Sequence, residues 1–341
     1  MKQRLKGPIL GIETSCDETA AAVLRGAREV LSMAVHTQIP IHRLYGGVVP
    51  ELASRSHAER ITAVVDEALK SAGVSLDDIG AVAVTSSPGL IGALLVGVSF
   101  AKGIAMAKNI PLIGVNHIEG HIAANYLTYP DLEPPFACLI ASGGHSHIVL
   151  VKDYNEFELV GRTRDDAAGE AFDKVARALG LPYPGGPEVE RLAKNGDPLA
   201  HHINSPFNSD LSNFDFSFSG VKTAVVNLMH NAGQKGEAVN AADLAASFPH
   251  TLVETLTKKA VRAAQHYNMK TLALAGGVSA NSALRERLQS ECDKVGLRFC
   301  RPDLRFCTDN AAMIACQGYY RLQRGERSDL DLNPSAASFL S

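Results

Sequence analysis

PPFACLIASGGHSHIVLV, residues 134–151, is the stretch that decides the fold. Two prolines break the chain, an apolar run from Phe136 to Ala141 follows, and a Gly-Gly turn leads into a second run from His145 to Val151. Short apolar runs bounded by turn residues predict paired, buried strands. The same opening stands near the start of the chain. There PILGIETSCDETAAAVL, residues 8–24, sets a polar turn between the predicted strands Pro8 to Thr14 and Thr19 to Leu24.

Working outward, the order of elements repeats. The first copy continues with a strand (Glu29 to Val35) and a helix (Glu51 to Ala72) carrying Ile61, Val64, Val65 and Leu69 at helical spacing. A strand (Ile79 to Ser86), a helix (Leu90 to Lys108), a strand (Leu112 to Asn116) and a helix (Ile118 to Tyr126) complete it. The second copy adds a strand (Phe157 to Arg162), a helix (Ala167 to Leu179), an insertion and helices to Tyr267. It ends with a strand (Thr271 to Ala275), a helix (Asn281 to Val295), a short strand (Arg298 to Cys300) and a helix (Asn310 to Arg324). Hairpins followed by alternating α and β units predict an α/β protein of two duplicated ribonuclease-H-like subdomains around a cleft. The expected division is 1–133 and 134–341, with a helical insertion at about 180–240.

Composition bounds the function. The chain has 341 residues and a net charge of −3, so no global positive field points to nucleic acid, and such a partner would need a local basic patch. Glu13, Asp17 and Glu18 interrupt the apolar segment Ile9 to Leu24, and Leu90 to Met106 carries Lys102 and is short for a span. No membrane segment is expected, and the cytoplasm is the expected location. The six cysteines form no C-x-x-C pair, which suits reduced thiols. Cys138 and Cys316 read as core. Cys16, in the polar turn, reads as a small turn residue or as a reactive thiol.

His117-Ile118-Glu119-Gly120-His121 resembles a zinc-protease motif without being one. Its histidines have the i, i+4 spacing of H-E-x-x-H, but the acid stands about 200° around the helix from His117. Two imidazoles can hold a metal; the built-in base is missing. His117 and His121 follow the last strand of the first copy and Asp309 follows the last strand of the second, so the three are expected to meet beyond the strand ends. Two histidines and a carboxylate suit Fe2+, with Zn2+ competing. Asp309 reads equally as a helix N-cap in Thr308-Asp309-Asn310.

Three glycine turns can approach an anion with bare backbone: Ser142-Gly143-Gly144-His145, Gly276-Gly277-Val278-Ser279-Ala280-Asn281 and Pro184-Gly185-Gly186-Pro187. The first also reads as an ordinary hairpin turn and the second as a plain strand-to-helix connection. In the helix beginning at Asp165-Asp166, the paired aspartates suit its own dipole, and Asp173 and Lys174 are the candidates to face a ligand. Glu13 to Thr19 is the matching polar turn of the first half.

Taken together, these residues resemble the TsaD family of tRNA N6-adenosine threonylcarbamoyltransferases. The shared signatures run in order along nearly the whole chain. They are Gly11 to Thr19, Tyr45 to Glu51, Ser87 to Leu90, Asn116 to His121, Ser142 to His145, Asp165 to Lys174, Tyr183 to Pro187, Phe214 to Lys222, Gly276 to Asn281 and Thr308 to Asn310. The resemblance implies an actin-like (ASKHA) fold and transfer of threonylcarbamoyl from threonylcarbamoyl-AMP to N6 of adenosine 37, in tRNAs reading codons that begin with A. It implies His117, His121 and Asp309 as iron ligands. It also implies Ile140, Ala141, Ser142, Gly143, Gly144, Asp173, Gly186 and Asn281 as the adenylate-binding set. Glu190 stands where some relatives carry an aspartate. Implied partners are tRNA, a TsaB-type paralogue docking on Leu90 to Met106, and a TsaE-type ATPase. Asp17 and Glu18 are the candidates for proton removal. No Ser, Cys or Lys is paired with an evident activating base, so direct transfer is expected. His36, His42, Arg43, Arg55, His57 and Arg60 form the expected tRNA footprint of the first half.

Overall fold

The duplication is written in the order of the strands. The computed structural model describes residues 5–203, 210, 212–235 and 239–337. Strands β1 (Ile9–Glu13), β2 (Glu18–Arg25), β3 (Glu29–Thr37), β4 (Ala81–Ser87) and β5 (Leu112–Asn116) form one sheet, ordered β3-β2-β1-β4-β5. Strands β6 (Phe136–Ala141), β7 (Ser146–Asp153), β8 (Glu156–Arg162), β9 (Thr271–Ala275) and β10 (Arg298–Cys300) form the other, ordered β8-β7-β6-β9-β10. In each, the first strand runs antiparallel to the second and parallel to the fourth, with Gly11 opposite Ala22 and Ala83, and Leu139 opposite Ile148 and Leu274. β1 and β6 are buried along their whole length, which is why both read as unbroken apolar runs rather than alternating ones.

The chain divides into two units: 1–134, 152–157 and 302–341 form the first, and 135–151 with 158–301 the second. The segment 302–341, expected with the second half, therefore belongs to the first unit. Close packing explains it. The helix Ala311–Arg324 lies so near β1 that a Cβ on Gly11 would stand 2.2 Å from the Ala311 carbonyl oxygen. The face of β1 bearing Leu10 and Ile12 packs with Ile61, Val65, Val98 and Ile104. These come from helices α2 (Pro50–Ala72) and α3 (Ile91–Lys108). Full burial of each such side chain contributes about 1.5–3 kcal/mol. By length and composition α3 is apolar enough to cross a membrane, against the expectation that it is too short. Ala93, Leu94, Gly97, Val98, Ala101, Ile104 and Ala105 are nonetheless buried within the protein.

The short helix α1 (Ile39–Arg43) was not expected; α4 spans His117–Thr128. The second unit carries α5 (Ala168–Ala178), α6 (Gly185–Ala193), α7 (Ser219–Lys235), α8 (Ala241–His266) and α9 (Ser282–Val295), and α10 is the helix Ala311–Arg324. Of the insertion expected at about 180–240, α6 and most of α7 are described, while 204–209, 211 and 236–238 lie outside the described residues. The core of the second unit gathers Leu139, Phe172, Val175, Phe216, Phe248, Leu256 and Leu284.

Candidate functional site

β5 ends at Asn116, whose side chain accepts a hydrogen bond from the Ile118 amide (2.8 Å) and so starts α4. His117 is the first residue of that helix and His121 lies one turn on, their rings edge to face with centroids 4.5 Å apart. Asp309 comes to the same place from the turn before α10. Its Oδ1 is 3.5 Å from His117 Nε2 and 3.3 Å from His121 Nε2. One donor atom from each residue lies within 4.8 Å of the others. All three belong to the first unit, so Asp309 reaches the histidines as part of their own unit rather than from the second half. The capping alternative for Asp309 falls to its neighbour: the Asn310 side chain accepts from the Met313 amide (3.0 Å).

The environment favours positive charge. Glu13, fully buried at the end of β1, has Oε2 3.0 Å from His117 Nδ1. The same carboxylate accepts from Thr85 Oγ1 (2.6 Å) and from the Ser15 amide, and Ser15 Oγ lies 3.2 Å from His117 Nδ1. Burial alone would raise Glu13, but His117 beside it brings the carboxyl below its usual range. Burial opposes charge on His117, and Asp309 with Glu13 overcomes that and carries it to about 9. With Nδ1 engaged by Glu13, Nε2 is the nitrogen turned toward Asp309. His121 differs. Burial, then the nearby His117, lowers it, and neither ring nitrogen makes a hydrogen bond in good geometry. A buried imidazole left so beside a carboxylate matches the donor set of a metal site, two nitrogens and one oxygen.

Glu119 is on the other side of α4. Buried, it pairs with both Nη2 and Nε of Arg321 at 2.7–3.0 Å, away from the histidine donors. It cannot act as a protease base. Arg321 did not stand out in the sequence, and Glu13 stood out only as the opening of the polar turn, not as a partner of His117.

The polar turn after β1 brings Cys16 and two further acids, Asp17 and Glu18, under the influence of Asp309. Burial, with Asp17 and Asp309 adding to it, pushes the Cys16 thiol well up, so it stays protonated and unactivated. Burial and then Asp309 raise Asp17. Burial pushes Glu18 up to about 8, and its Oε2 is buried without a hydrogen-bond partner.

The second unit presents backbone instead. Gly143, Asp173, Gly186 and Asn281 line a cavity of about 200 Å³ together with Gly169, Phe172, Glu190, Gly277 and Val278. A Cβ added at Gly143, Gly186 or Gly277 would meet no atom within 4 Å, so these backbones face open space. Gly276 is different in kind. With φ at +87°, it brings a turn so close to Ala141 that a Cβ would stand 2.5 Å from the carbonyl oxygen. Ile140, Ala141, Ser142 and Gly144 do not line this cavity, and the side chains of Ile140 and Ala141 are wholly buried. Asp173 Oδ1 accepts from the Gly185 amide (2.7 Å). Asn281 Oδ1 caps α9 by accepting from the Leu284 amide (2.9 Å), and the residue also lines the cavity. Glu190 accepts from Ser282 Oγ (2.5 Å) and is shared with an adjoining cavity of about 580 Å³.

Two expected features resolve otherwise. Lys174 is paired with Asp166 (2.6 Å) and Glu170 (2.8 Å) rather than turned to a ligand. Asp165 serves α7, not its own helix, accepting from the Phe218 and Ser219 amides and from two serine hydroxyls.

Comparison with known proteins places this geometry. A family model described as TsaD, tRNA N6-adenosine threonylcarbamoyltransferase, matches residues 29–316. A protein of that name from Clostridium perfringens (strain SM101) is 56% identical over 326 residues, covering 95% of this chain and 96% of the relative. One from Caldicellulosiruptor saccharolyticus is 52% identical over 325 residues, with the same coverage. Among solved structures, HypF of T. kodakarensis aligns with a TM-score of 0.62 at 13% identity, over 94% of this chain and 48% of that one. Component A of the Acidaminococcus fermentans (R)-2-hydroxyglutaryl-CoA dehydratase aligns at 0.54 and 14% identity, over 92% and 98%. At such identities these two show the fold alone, the actin-like α/β fold that the family resemblance implies. On the family match and the relatives' identity, the chain belongs to the TsaD family of tRNA N6-adenosine threonylcarbamoyltransferases, a family of transferase enzymes.

Proposed function

We propose that the chain transfers threonylcarbamoyl from threonylcarbamoyl-AMP directly to N6 of adenosine 37, in tRNAs reading codons that begin with A. The observation that carries the donor is the cavity of the second unit, walled by bare glycine backbone with Asp173 and Asn281 on its rim. Amides of the Gly143-Gly144 and Gly276-Gly277 turns suit phosphate oxygens, the Asp173 carboxylate suits a hydroxyl, and the Asn281 NH2 suits an acceptor on the nucleotide.

The donor is a mixed anhydride with AMP as a good leaving group. The acceptor amine is a poor nucleophile because its lone pair is delocalised into the adenine ring. Catalysis must therefore stabilise charge, place the amine and remove its proton. His117, His121 and Asp309 would hold a metal, Fe2+ by their donor types with Zn2+ the alternative, and when bound it supplies Lewis acidity toward phosphate or carbonyl oxygens. Glu13 holds His117 in place for that role. Asp17 and Glu18 are the two acids of the turn for removal of the amine proton, and Glu18, pushed up to about 8, holds its own proton near neutral pH and accepts another group's proton only in its ionised fraction. The raised Cys16 thiol disfavours an acyl-enzyme.

The test uses labelled threonylcarbamoyl-AMP. With tRNA the label should move to adenosine, and without tRNA the denatured protein should stay unlabelled. Stoichiometric label on Cys16, or ATP hydrolysis without transfer, would overturn the reading.

For partners, a TsaB-type paralogue fits the exposed stripe Ile91, Leu95 and Met106 of α3, with a TsaE-type ATPase joining the complex. Gly97 is not part of that stripe, because a Cβ there would stand 2.3 Å from Thr14 Oγ1. Leu95→Glu should therefore block co-elution with the paralogue. The expected tRNA footprint also narrows. His42 and His57 are buried and hydrogen-bonded inside, while Arg43, Leu44 and Tyr45 are exposed. Arg43→Glu should weaken tRNA binding and flatten its salt dependence.

A further inference from the structure

The motif His117-Ile118-Glu119-Gly120-His121 leaves a buried acid that the transfer reaction does not use. α4 supplies both histidines, and α10 begins two residues after Asp309. The three donors converge only if these helices hold one register against each other. Two contacts between α4 and α10 fix that register. A Cβ on Gly120 would lie 2.6 Å from Ile314 Cδ1 and 3.3 Å from Met313 Cγ, so α4 lies close against α10 and a larger residue there would have to push the Ile314 side chain aside. Next to it, the Glu119 carboxylate, 1% exposed, is gripped by Arg321 Nη2 at 2.7 and 2.8 Å and by Nε at 3.0 Å. Bidentate guanidinium–carboxylate pairing fixes orientation as well as distance. Glu119 stands about 200° around α4 from His117, so the clamp grips the helix face opposite the donors.

We infer that Glu119 is a positioning residue, and that its ion pair with Arg321 holds α4 on α10 in the register that brings His117, His121 and Asp309 into one donor set. The inference rests on the metal reading proposed above. A donor set held loosely by even a fraction of an ångström binds its ion more weakly, so metal affinity reports the clamp directly.

The experiment titrates the purified full-length chain with Co2+, followed by its visible absorption in competition with a chelator, well below the unfolding temperature and with the fold checked by circular dichroism. The variants are Glu119→Gln, Arg321→Met, the two combined, and His121→Ala as the control. The parent should bind one Co2+ that His121→Ala loses. Glu119→Gln and Arg321→Met should each weaken binding about tenfold or more, the range seen when groups supporting a metal ligand are removed. The combined variant should be little worse than either alone, because both substitutions break one pair. Parental Co2+ affinity in a folded single variant, or effects that multiply in the combined one, would overturn the clamp while leaving the metal reading standing. A parent that binds no Co2+, or His121→Ala that binds as the parent does, overturns both. If a single variant fails to fold, the combined variant leaves no buried charge unpaired and carries the test: parental affinity there overturns the clamp.

Discussion

The turn after the first strand occupies the same topological place in both sheets, yet the two turns are chemically opposite. From the end of β1 to the start of β2 the chain places Glu13, Ser15, Asp17 and Glu18 among buried surroundings, with Glu13 held by three donors, one of them a histidine. After β6 it inserts Gly143 and Gly144, whose backbones face open space, closed by a Ser142–His145 amide-to-carbonyl bond of 2.8 Å. Duplication preserved the architecture and not the site. One turn works through side chains whose charges are set by burial and by each other, and the other through amides that a side chain would cover. A change of one atom in the first should reach the ionic centre; a methyl in the second should only crowd a ligand.

The largest effect is expected at Glu13. Glu13→Gln keeps the shape and the contact with Thr85 but removes the charge that holds His117 Nδ1. Metal affinity should fall about 10–100-fold, with transfer falling in step, in protein that still folds by circular dichroism although its Tm drops, because the amide NH2 now faces the Ser15 amide. Parental metal affinity in this variant would show the turn after β1 to be structural. In the second turn, Gly143→Ala should raise KM for threonylcarbamoyl-AMP by about tenfold, or about 1.4 kcal/mol, while kcat and metal content stay near parental values. A fall in kcat at constant KM would place that turn in the chemistry and erase the contrast.

Much of this was legible in the sequence where local patterns carry it. The strands Leu112–Asn116, Phe136–Ala141, Thr271–Ala275 and Arg298–Cys300 stand where apolar runs bounded by turns predict them. The donors His117, His121 and Asp309 were visible as residue types; their gathering in one unit was not. That depends on α10 lying against β1 through Gly11, a contact between residues some 300 positions apart in the chain. Glu119 was readable as misplaced for a protease, because helical angles are local. Its partner, 202 residues away, was not. Asp309 and Asn310 were ambiguous as caps because the signal has a resolution of about one residue, and only hydrogen-bond geometry separates them.

The smallest expected effect is on stability as a function of pH, where the two halves should respond with opposite sign. His147 pairs across the second sheet with Ile140, and burial, with Arg162 adding to it, lowers it from 6.5 to about 4. Below pH 6.5 the unfolded chain takes up a proton that the folded ring refuses, so the contribution of His147 is complete above pH 6.5 and is lost as pH falls toward 4. Glu18 runs the other way. Raised from 4.5 to about 8, it binds a proton in the folded state that the unfolded chain has released, so its contribution is complete below pH 4.5 and is lost as pH rises through 8. His147→Gln should therefore flatten the acid side of a plot of Tm against pH, and Glu18→Gln the alkaline side. Discounted for the partial exposure of the ring, the acid-side change is on the order of 1 kcal/mol, or about 2–4 °C in Tm. Unchanged slopes in both variants would mean that neither group is held away from its ordinary value, and that Glu18 is ionised at neutral pH rather than protonated.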